Sequence, residues 1–214
     1  MIKLVNVSKE HQRNLLLNNI NLEIERGKVY GFKGRNGSGK TMLLRAILGL
    51  IKVEGQVIIN NKPLKFGEKY PLKFGEKYPL KVGVFIEKPS IITEFTALKN
   101  LKLIAALKGI KDINVMTKYL VELGLDYKDK RKVRKYSLGM KQKVGIAQTL
   151  MGEPELIVLD EPTNALDRKS IEKLVQILER LKQQGCTILI ASHQFEDIES
   201  IVDEVVHIEA GALE

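Results

Sequence analysis

Residues 34 to 41 have the types and spacing of a loop that binds the phosphates of a nucleotide. They read Gly-Arg-Asn-Gly-Ser-Gly-Lys-Thr, the G-x-x-x-x-G-K-[ST] pattern, after an apolar run at 29–32 and before apolar residues at helical spacing. Glycine tolerates positive φ, so such a backbone wraps closely around an anion and presents successive N–H groups to it. Lys40 would supply positive charge to the β- and γ-phosphates, and the Thr41 hydroxyl is placed to ligate Mg²⁺. We therefore predict binding of ATP or GTP through Gly34, Arg35, Asn36, Gly37, Ser38, Gly39, Lys40 and Thr41.

An acidic pair supplies the second half of a hydrolytic site. The apolar run 156–159 predicts a buried strand that leads into Asp160, and ligands of open α/β sheets collect at the carboxyl ends of strands. Asp160 is expected to hold Mg²⁺ through water, as the acidic partner of Thr41. Glu161 can instead face the attacking water as a general base or a water-orienting group. The competing interpretation, an ordinary exposed acidic turn, is disfavoured by the apolar strand directly before the pair.

Three further segments resemble ATP-binding cassette (ABC) ATPases, and the resemblance covers essentially the whole chain. Residues 161–167, Glu-Pro-Thr-Asn-Ala-Leu-Asp, resemble the stretch that follows the acidic pair in that family. Residues 136–142, Tyr-Ser-Leu-Gly-Met-Lys-Gln, resemble its LSGGQ signature, with Leu138 and Met140 in place of a glycine and a glutamine. Ser192-His193, after a strand-like run, resembles its switch histidine. Four motifs in the family's order are far more specific than any one of them.

The resemblance implies a head-to-tail dimer in which two chains enclose two ATP molecules. Ser137 and the Gly139 backbone would contact the γ-phosphate bound to a second ABC ATPase subunit. Asp167 would lie on the dimer seam and help to couple the two sites. His193 would contact the γ-phosphate or the attacking water, and the alternative for this residue is a structural imidazole.

Two positions depart from the family pattern. Glu87 stands where the family usually has a glutamine, so an anionic oxygen could reach Mg²⁺ or the nucleophilic water but could donate a hydrogen bond only when protonated. Together with the Ser-Leu-Gly-Met-Lys-Gln segment, this glutamate resembles the ATPase subunits of bacterial bacitracin and lantibiotic self-protection exporters. At the adenine end, His11 occupies the place of the family's stacking aromatic ring, which implies loose base selectivity. A solvated loop residue is the alternative at both positions.

Strand-like and helix-like segments alternate along the chain and must position these residues. Short β-like runs at 2–7, 20–24, 29–32, 56–59 and 82–86 precede helical patterns from Thr96 to about Met151, and a strand, a helix and a strand follow at 156–159, 170–182 and 187–190. This order predicts an α/β fold with a mostly parallel core sheet. The resemblance implies a single P-loop NTPase domain over 1–214 with N-terminal antiparallel β-strands. We expect a core lobe of 1–90 and 150–214 and a helical lobe of 91–149 that carries the signature.

The composition is that of a globular chain. Its 214 residues, with 44 % hydrophobic content, can bury a substantial core, and no run approaches eighteen uninterrupted apolar residues. Cys186 is the only cysteine and lies in an apolar run, so it has no disulfide partner within the chain and a reducing compartment fits.

The formal net charge of +9 is concentrated in one basic segment, residues 128–143, in which only Asp129 opposes the lysines and arginines. Nucleic acid, an acidic membrane surface and a phosphate-bearing partner are electrostatically admissible, and a solvated basic face is the alternative. Tyr127 and Tyr136 are the only aromatic residues beside the cluster, so we do not expect nucleic acid as a partner.

The resemblance implies the ATPase subunit of a membrane exporter for drugs or antimicrobial peptides, with ATP and Mg²⁺ as cofactors and a separate transmembrane permease as partner. The subunit would lie peripherally on the cytoplasmic face of the cell membrane. The permease would dock in the groove between the lobes, near Glu87 and the helix that begins at Thr96. The alternative is a soluble ABC ATPase that acts on ribosomes or DNA, which only the basic segment favours. A P-loop phosphotransferase or GTPase is disfavoured, because no Asn-Lys-x-Asp base-reading motif is present.

A tandem repeat interrupts the first half of the chain. Residues 63–70 and 71–78 both read PLKFGEKY, and 79–81 begin a third copy. We interpret it as a duplication that lengthens a surface connection, because proline and glycine resist regular structure and longer loops cost little free energy. A partner-binding arm is the alternative. At the other end, Leu213-Glu214 resembles a frequent cloning scar, which leaves open whether the natural chain extends past Glu214.

Overall fold

The computed structural model describes residues 1–65 and 78–214, and their strands form two sheets. Nearly all of the tandem octapeptide, including its expected role as a surface connection, lies outside the described residues. Among the described helices, none combines the length with the apolar character needed to cross a bilayer.

The first sheet is antiparallel and is built mainly from the N-terminal strands. Its strand order is β2-β1-β4-β5, and Ile2 pairs with Ile24 on one side and with Ile59 on the other. Apolar residues alternate along β1 because one face of the sheet is buried, as the burial of Ile2, Leu4 and Val7 shows. The strands are β1 (Ile2–His11), β2 (Asn14–Ile24), β4 (Glu54–Ile59) and β5 (Lys62–Pro63).

The second sheet is mostly parallel and carries the predicted site. Its order is β10-β9-β3-β8-β7-β6, with parallel pairing throughout except between β9 and β10. Because parallel strands end at the same edge, the residues after β3, β6, β7 and β8 are brought together there. The strands are β3 (Val29–Lys33), β6 (Val82–Phe85), β7 (Leu156–Asp160), β8 (Thr187–Ser192), β9 (Glu204–Glu209) and β10 (Ala212–Leu213).

Most of the α-helices begin at a side chain that accepts a backbone N–H. Thr96, Asp112, Ser137 and Asp167 cap α2 to α5 in this way, which satisfies N–H groups that have no partner inside a helix. The first helix instead begins after Gly39 in a left-handed conformation, with φ of 111°. The helices are α1 (Lys40–Ile47), α2 (Ala97–Leu107), α3 (Ile113–Glu122), α4 (Leu138–Leu150) and α5 (Arg168–Gln183).

The central strands separate two hydrophobic cores. Leu159 and Ile190 face the core built with α2, α3, α4 and α5, whereas Val158 and Leu189 face the core built with α1 and the antiparallel sheet. Both faces of β7 and β8 are therefore covered, which explains their uninterrupted apolar sequence. The predicted fold class, an α/β fold with antiparallel N-terminal strands and a largely parallel core sheet, is confirmed.

The element bounds differ from the sequence prediction mainly at the N-terminus. Strand β2 begins at Asn14 instead of at residue 20, because Leu15 to Leu17 form a hairpin with β1 although they do not alternate with polar residues. The short strand β10, with its turn at Gly211, was not predicted and lies against β2.

Candidate nucleotide-binding and hydrolysis site

The predicted phosphate loop connects β3 to α1 and has backbone geometry that only glycine readily adopts. Gly37 and Gly39 have φ of 82° and 111°. At Gly34, a side-chain Cβ would lie 2.6 Å from the Ser38 hydroxyl and against the Ile208 carbonyl. The loop thus turns sharply and leads into the N-terminus of α1, where backbone N–H groups favour an anion.

The positively charged side chain of this loop, Lys40, folds back onto the loop backbone. Lys40 is 6 % exposed, and its Nζ donates to the carbonyls of Gly34 at 2.7 Å and Arg35 at 3.1 Å. Ser38 is buried, and its hydroxyl finds no partner among the described residues. Arg35, Asn36 and Gly37 are exposed, so these loop residues face the solvent side of the site.

Thr41 and Asp160 lie in direct contact although 119 residues separate them. The Thr41 hydroxyl donates to Asp160 Oδ2 at 2.7 Å. Asp160 ends β7, is 2 % exposed, and has no hydrogen-bond partner for Oδ1 within the described chain. Burial raises the pKa of Asp160, while the hydrogen bond from Thr41 opposes this rise.

The contacts of Thr41 and Asp160 fit a magnesium ion. A buried carboxylate oxygen without a partner, next to a hydroxyl, is a hard oxygen site of the kind that Mg²⁺ prefers. The described residues contain no group of three or more acidic, histidine or cysteine side chains that could hold a metal. Mg²⁺ usually takes one or two carboxylates and completes its shell with water and substrate phosphates, so Asp160 and Thr41 suffice as its protein ligands.

Glu161 and His193 form a second pair at the same sheet edge. Glu161 Oε2 lies 2.7 Å from His193 Nδ1, and its Oε1 accepts the backbone N–H of His193 at 3.1 Å. Glu161 has φ of 51°, a left-handed conformation that is uncommon for residues with side chains. Its side chain, 20 % exposed, lines one cleft with Lys40, Thr41 and Asp160. A carboxylate that lines a cleft and is held by a histidine can act as a general base toward a water molecule in that cleft.

Glu87 follows β6 but does not line this cleft. Since Phe85 pairs with Leu159, the residues after β6 lie next to the end of β7. Glu87 has φ of 60°, and its Oε1 accepts a hydrogen bond from Arg45 Nη2 at 2.7 Å. The structure thus gives Glu87 a guanidinium partner on α1, and its assignment as a metal ligand stays a prediction.

His11 lies at the tip of the β1–β2 hairpin, where it pairs with Asn14 and is exposed. The side chains that this hairpin contributes to the cleft are Leu15 and Leu16, and Met42 lines it as well. The side of the cleft formed by these residues is therefore largely aliphatic, and the expected stacking contact of His11 stays a prediction.

The signature segment begins helix α4 at some distance from the phosphate loop. Ser137 is the N-cap, and its hydroxyl accepts the Met140 N–H at 3.2 Å. A Cβ on Gly139 would lie 2.5 Å from the Ala165 carbonyl, so this glycine permits close packing against the loop after Glu161. Ser137 and Gly139 are not among the residues that line the cleft of their own chain.

Two further side chains matter here for which the sequence suggested no role. Gln142 Nε2 donates to the carbonyls of Glu161 at 3.2 Å and Pro162 at 3.3 Å, which ties α4 to the loop that carries Glu161. Arg45 pairs with Glu87 as described.

Asp167, expected on a dimer seam, caps α5 through the backbone N–H of Ser170 at 2.8 Å.

The basic segment is partly neutralised by acidic neighbours. Arg131 pairs with Asp129 at 2.7 Å, and Glu94 accepts Lys132 at 2.9 Å and lies 3.7 Å from Arg134. Hydrogen bonds from Arg131 lower the pKa of Asp129 to about 2. The segment thus contains local ion pairs beside its exposed lysines.

Comparison with known proteins places this geometry in context. The profile of a family described as ABC transporter matches residues 17–164. The bacitracin transport ATP-binding protein BcrA of Bacillus licheniformis is 38% identical over 215 residues, which cover 100% of this chain and 68% of BcrA. The lantibiotic transport ATP-binding protein SrtF of Streptococcus pyogenes is 35% identical over 214 residues, covering 100% of this chain and 89% of SrtF. Among solved structures, the dimeric post-hydrolysis state of the ATP-binding cassette MJ0796 bound to ADP and Pi superimposes with a TM-score of 0.85 at 28% identity, covering 100% of this chain and 97% of that one.

Proposed function

The chain belongs to the ABC transporter family and is an ATPase, and from this premise we propose that it drives a membrane exporter for a drug or an antimicrobial peptide. The observation that supports the proposal best is the convergence of Lys40, Thr41, Asp160 and Glu161 on one cleft. The similarity to BcrA and SrtF, which are named for bacitracin and lantibiotic transport, supports the choice of cargo class.

We assign a separate task to each of these side chains. Lys40 binds the β- and γ-phosphates, and Thr41 and Asp160 would hold Mg²⁺, which would neutralise charge on the phosphates. Glu161 orients the attacking water and takes its proton, and His193 holds the Glu161 carboxylate through the 2.7 Å contact. The aliphatic surface of Leu15 and Leu16 receives the base without polar side chains.

A second copy of this chain, or a similar subunit, completes the site in our proposal. Ser137 and Gly139 begin α4 at a helix N-terminus, which favours an anion. They do not line the cleft of their own chain, which supports a contact with a nucleotide held by another subunit. A head-to-tail dimer places them over the γ-phosphate of the facing subunit, and the dimeric MJ0796 cassette supports such an arrangement.

The groove between the parallel sheet and α2 is the proposed docking surface for a permease on a separate chain. Val84, Ile86 and Ile104 line this groove, and Arg45 and Lys88 lie at its rim. Leu107 of α2 is 84% exposed, an unusual position for a large apolar side chain on a helix. An amphipathic segment of a permease would cover these apolar groups and hold the subunit at the cytoplasmic face of the membrane.

The test of the catalytic proposal is Glu161→Gln with a matched control. General-base catalysis contributes about 10²- to 10⁴-fold, so E161Q should lose at least about 99 % of its ATPase rate, retain ATP and form an ATP-dependent dimer in size-exclusion chromatography. Glu153→Gln is the control, since Glu153 also has a left-handed φ, 53°, and precedes the same strand but is exposed at its opposite end. E153Q should hydrolyse ATP normally. A wild-type rate in E161Q would remove Glu161 from the base role.

Two outcomes separate the exporter from the soluble alternative. Co-purification with a multi-span membrane protein, and stimulation of the ATPase rate by that protein, would support the exporter. Binding of nucleic acid at physiological salt, with a steep decrease as salt rises, would instead favour a factor that acts on ribosomes or DNA. The ion pairs of Arg131 and Lys132 reduce the positive charge available for such binding.

A further inference from the structure

One face of helix α1 contacts two carboxylates that follow adjacent strands. Thr41 and Arg45 are four residues apart, so they lie one turn apart on the same face of the helix. Thr41 binds Asp160 at the end of β7, and Arg45 binds Glu87 just after β6. Because β6 and β7 are parallel neighbours, the two contacts lie side by side at one sheet edge.

The Arg45 contact depends on a charge that glutamine would lack. The distance from Nη2 to Oε1 is 2.7 Å, within the range of a charge-assisted hydrogen bond. An amide at position 87 could accept this hydrogen bond but would not neutralise the guanidinium. Glutamate at position 87 therefore neutralises Arg45, which glutamine at this position would not do.

We propose that Arg45 is a positioning residue that holds Glu87 away from the magnesium site, so that the guanidinium and the cation compete for one carboxylate. This inference rests on the proposed binding of Mg²⁺ with ATP at Thr41 and Asp160. Neighbouring positions one turn apart on a helix have Cβ atoms about 5–6 Å apart, so the guanidinium lies within a side-chain length of the place where the cation would bind. Engagement of Glu87 by this positive charge offsets the negative charge that Glu87 offers to a divalent cation, so the attraction between them is weaker.

Solvent limits how strongly the Arg45–Glu87 ion pair can affect the binding of Mg²⁺. The side chains of Arg45 and Glu87 are 33% and 57% exposed. Exposed ion pairs contribute modestly, so release of Glu87 should strengthen the coupling between Mg²⁺ and nucleotide by about two- to five-fold. The suitable measure is the ratio of the dissociation constants of a fluorescent ATP analogue in EDTA and in saturating Mg²⁺, because linkage makes this ratio the effect of the cation on nucleotide binding.

The experiment compares this ratio in five variants of the full chain. Arg45→Gln should raise the ratio about two- to five-fold, and Arg45→Lys, which keeps the charge, should restore most of the wild-type value. In a Glu87→Gln background, Arg45→Gln should leave the ratio unchanged. Lys3→Gln is the control. This substitution also removes one positive charge, but Lys3 pairs with Glu23 on the distant antiparallel sheet.

An unchanged or lower ratio in R45Q would overturn the proposal. So would an equal rise in the E87Q background, because Arg45 would then act on the cation without Glu87. If the wild-type chain fails to bind the analogue with Mg²⁺, the proposed function itself is wrong. If it binds the analogue normally and R45Q behaves like K3Q, only the role of Arg45 is wrong.

Discussion

Replacement of Gly139 by alanine sets helix propensity against packing. Gly139 lies in the first turn of α4, where alanine would ordinarily stabilise a helix by about 0.5–1 kcal/mol. Here the new Cβ would lie 2.5 Å from the Ala165 carbonyl oxygen, whereas ordinary contact begins at 3.4 Å. The backbone of α4 and the loop at Ala165 must therefore separate by about 0.9 Å.

The loop has little room to yield without moving Glu161, the proposed general base. Ala165 is itself left-handed, with φ of 62°, and the Asn164 N–H donates to the Glu161 carbonyl at 3.3 Å. A misplacement of about 1 Å costs about 10²-fold in rate, and overpacking costs about 1–3 kcal/mol of stability. We expect G139A to lose about 100-fold in steady-state ATPase rate, while its affinity for a fluorescent ATP analogue changes by less than about two-fold.

Gly185→Ala provides the control for a general effect of alanine. Gly185 has φ of 85°, and no atom of the described residues lies within 4 Å of a new Cβ, so G185A should lose stability through backbone strain but keep the wild-type ATPase rate. Urea unfolding separates the two effects. If G139A hydrolyses ATP at the wild-type rate and unfolds at the same or higher urea concentration, propensity outweighs packing and the reasoning from the Ala165 contact is refuted.

Two smaller predictions concern ionisation. Arg131→Gln should return the pKa of Asp129 from about 2 toward 3.8 in a carboxyl NMR titration. In the wild-type chain the ion pair is fully formed above about pH 4 and is lost as the pH falls through about 2. A low pKa of Asp129 that persists in R131Q would contradict the assignment of Arg131 as its cause. Burial raises the pKa of Cys186 to about 12, so a thiol reagent at pH 8 should label the folded chain no faster than it unfolds, and labelling within seconds in native buffer would contradict that burial.

The parts of the fold that sequence could predict are those set by local chemistry. The loop before Lys40 needs glycines for its left-handed backbone, and the apolar run before Asp160 needs burial on both faces, so both elements can be predicted from the sequence. The start of strand β2 was harder to predict, because Leu15 to Leu17 do not alternate with polar residues and are fixed by pairing with β1.

The parts that sequence could not predict are side-chain contacts between distant segments. Arg45 reads as one more basic residue on a helix until β6 brings Glu87 to it, 42 residues away in the chain. Likewise, the family pattern draws attention to His11, whereas the hairpin geometry places Leu15 and Leu16 in the cleft. Such contacts depend on strand order and on backbone turns at single residues, which a linear pattern does not contain.

The signature helix also connects the two halves of the proposed dimer through one chain. Its N-cap residue, Ser137, would contact the nucleotide of the facing subunit, while Gln142 on the next turn donates to the Glu161 and Pro162 carbonyls of its own chain. Gly139, between them, packs on the same loop. A helix turn is rigid, so Ser137 cannot shift toward a γ-phosphate without moving the backbone of Glu161. Closure over one nucleotide would therefore adjust the general base at the other, which gives a physical reason for hydrolysis to depend on both subunits.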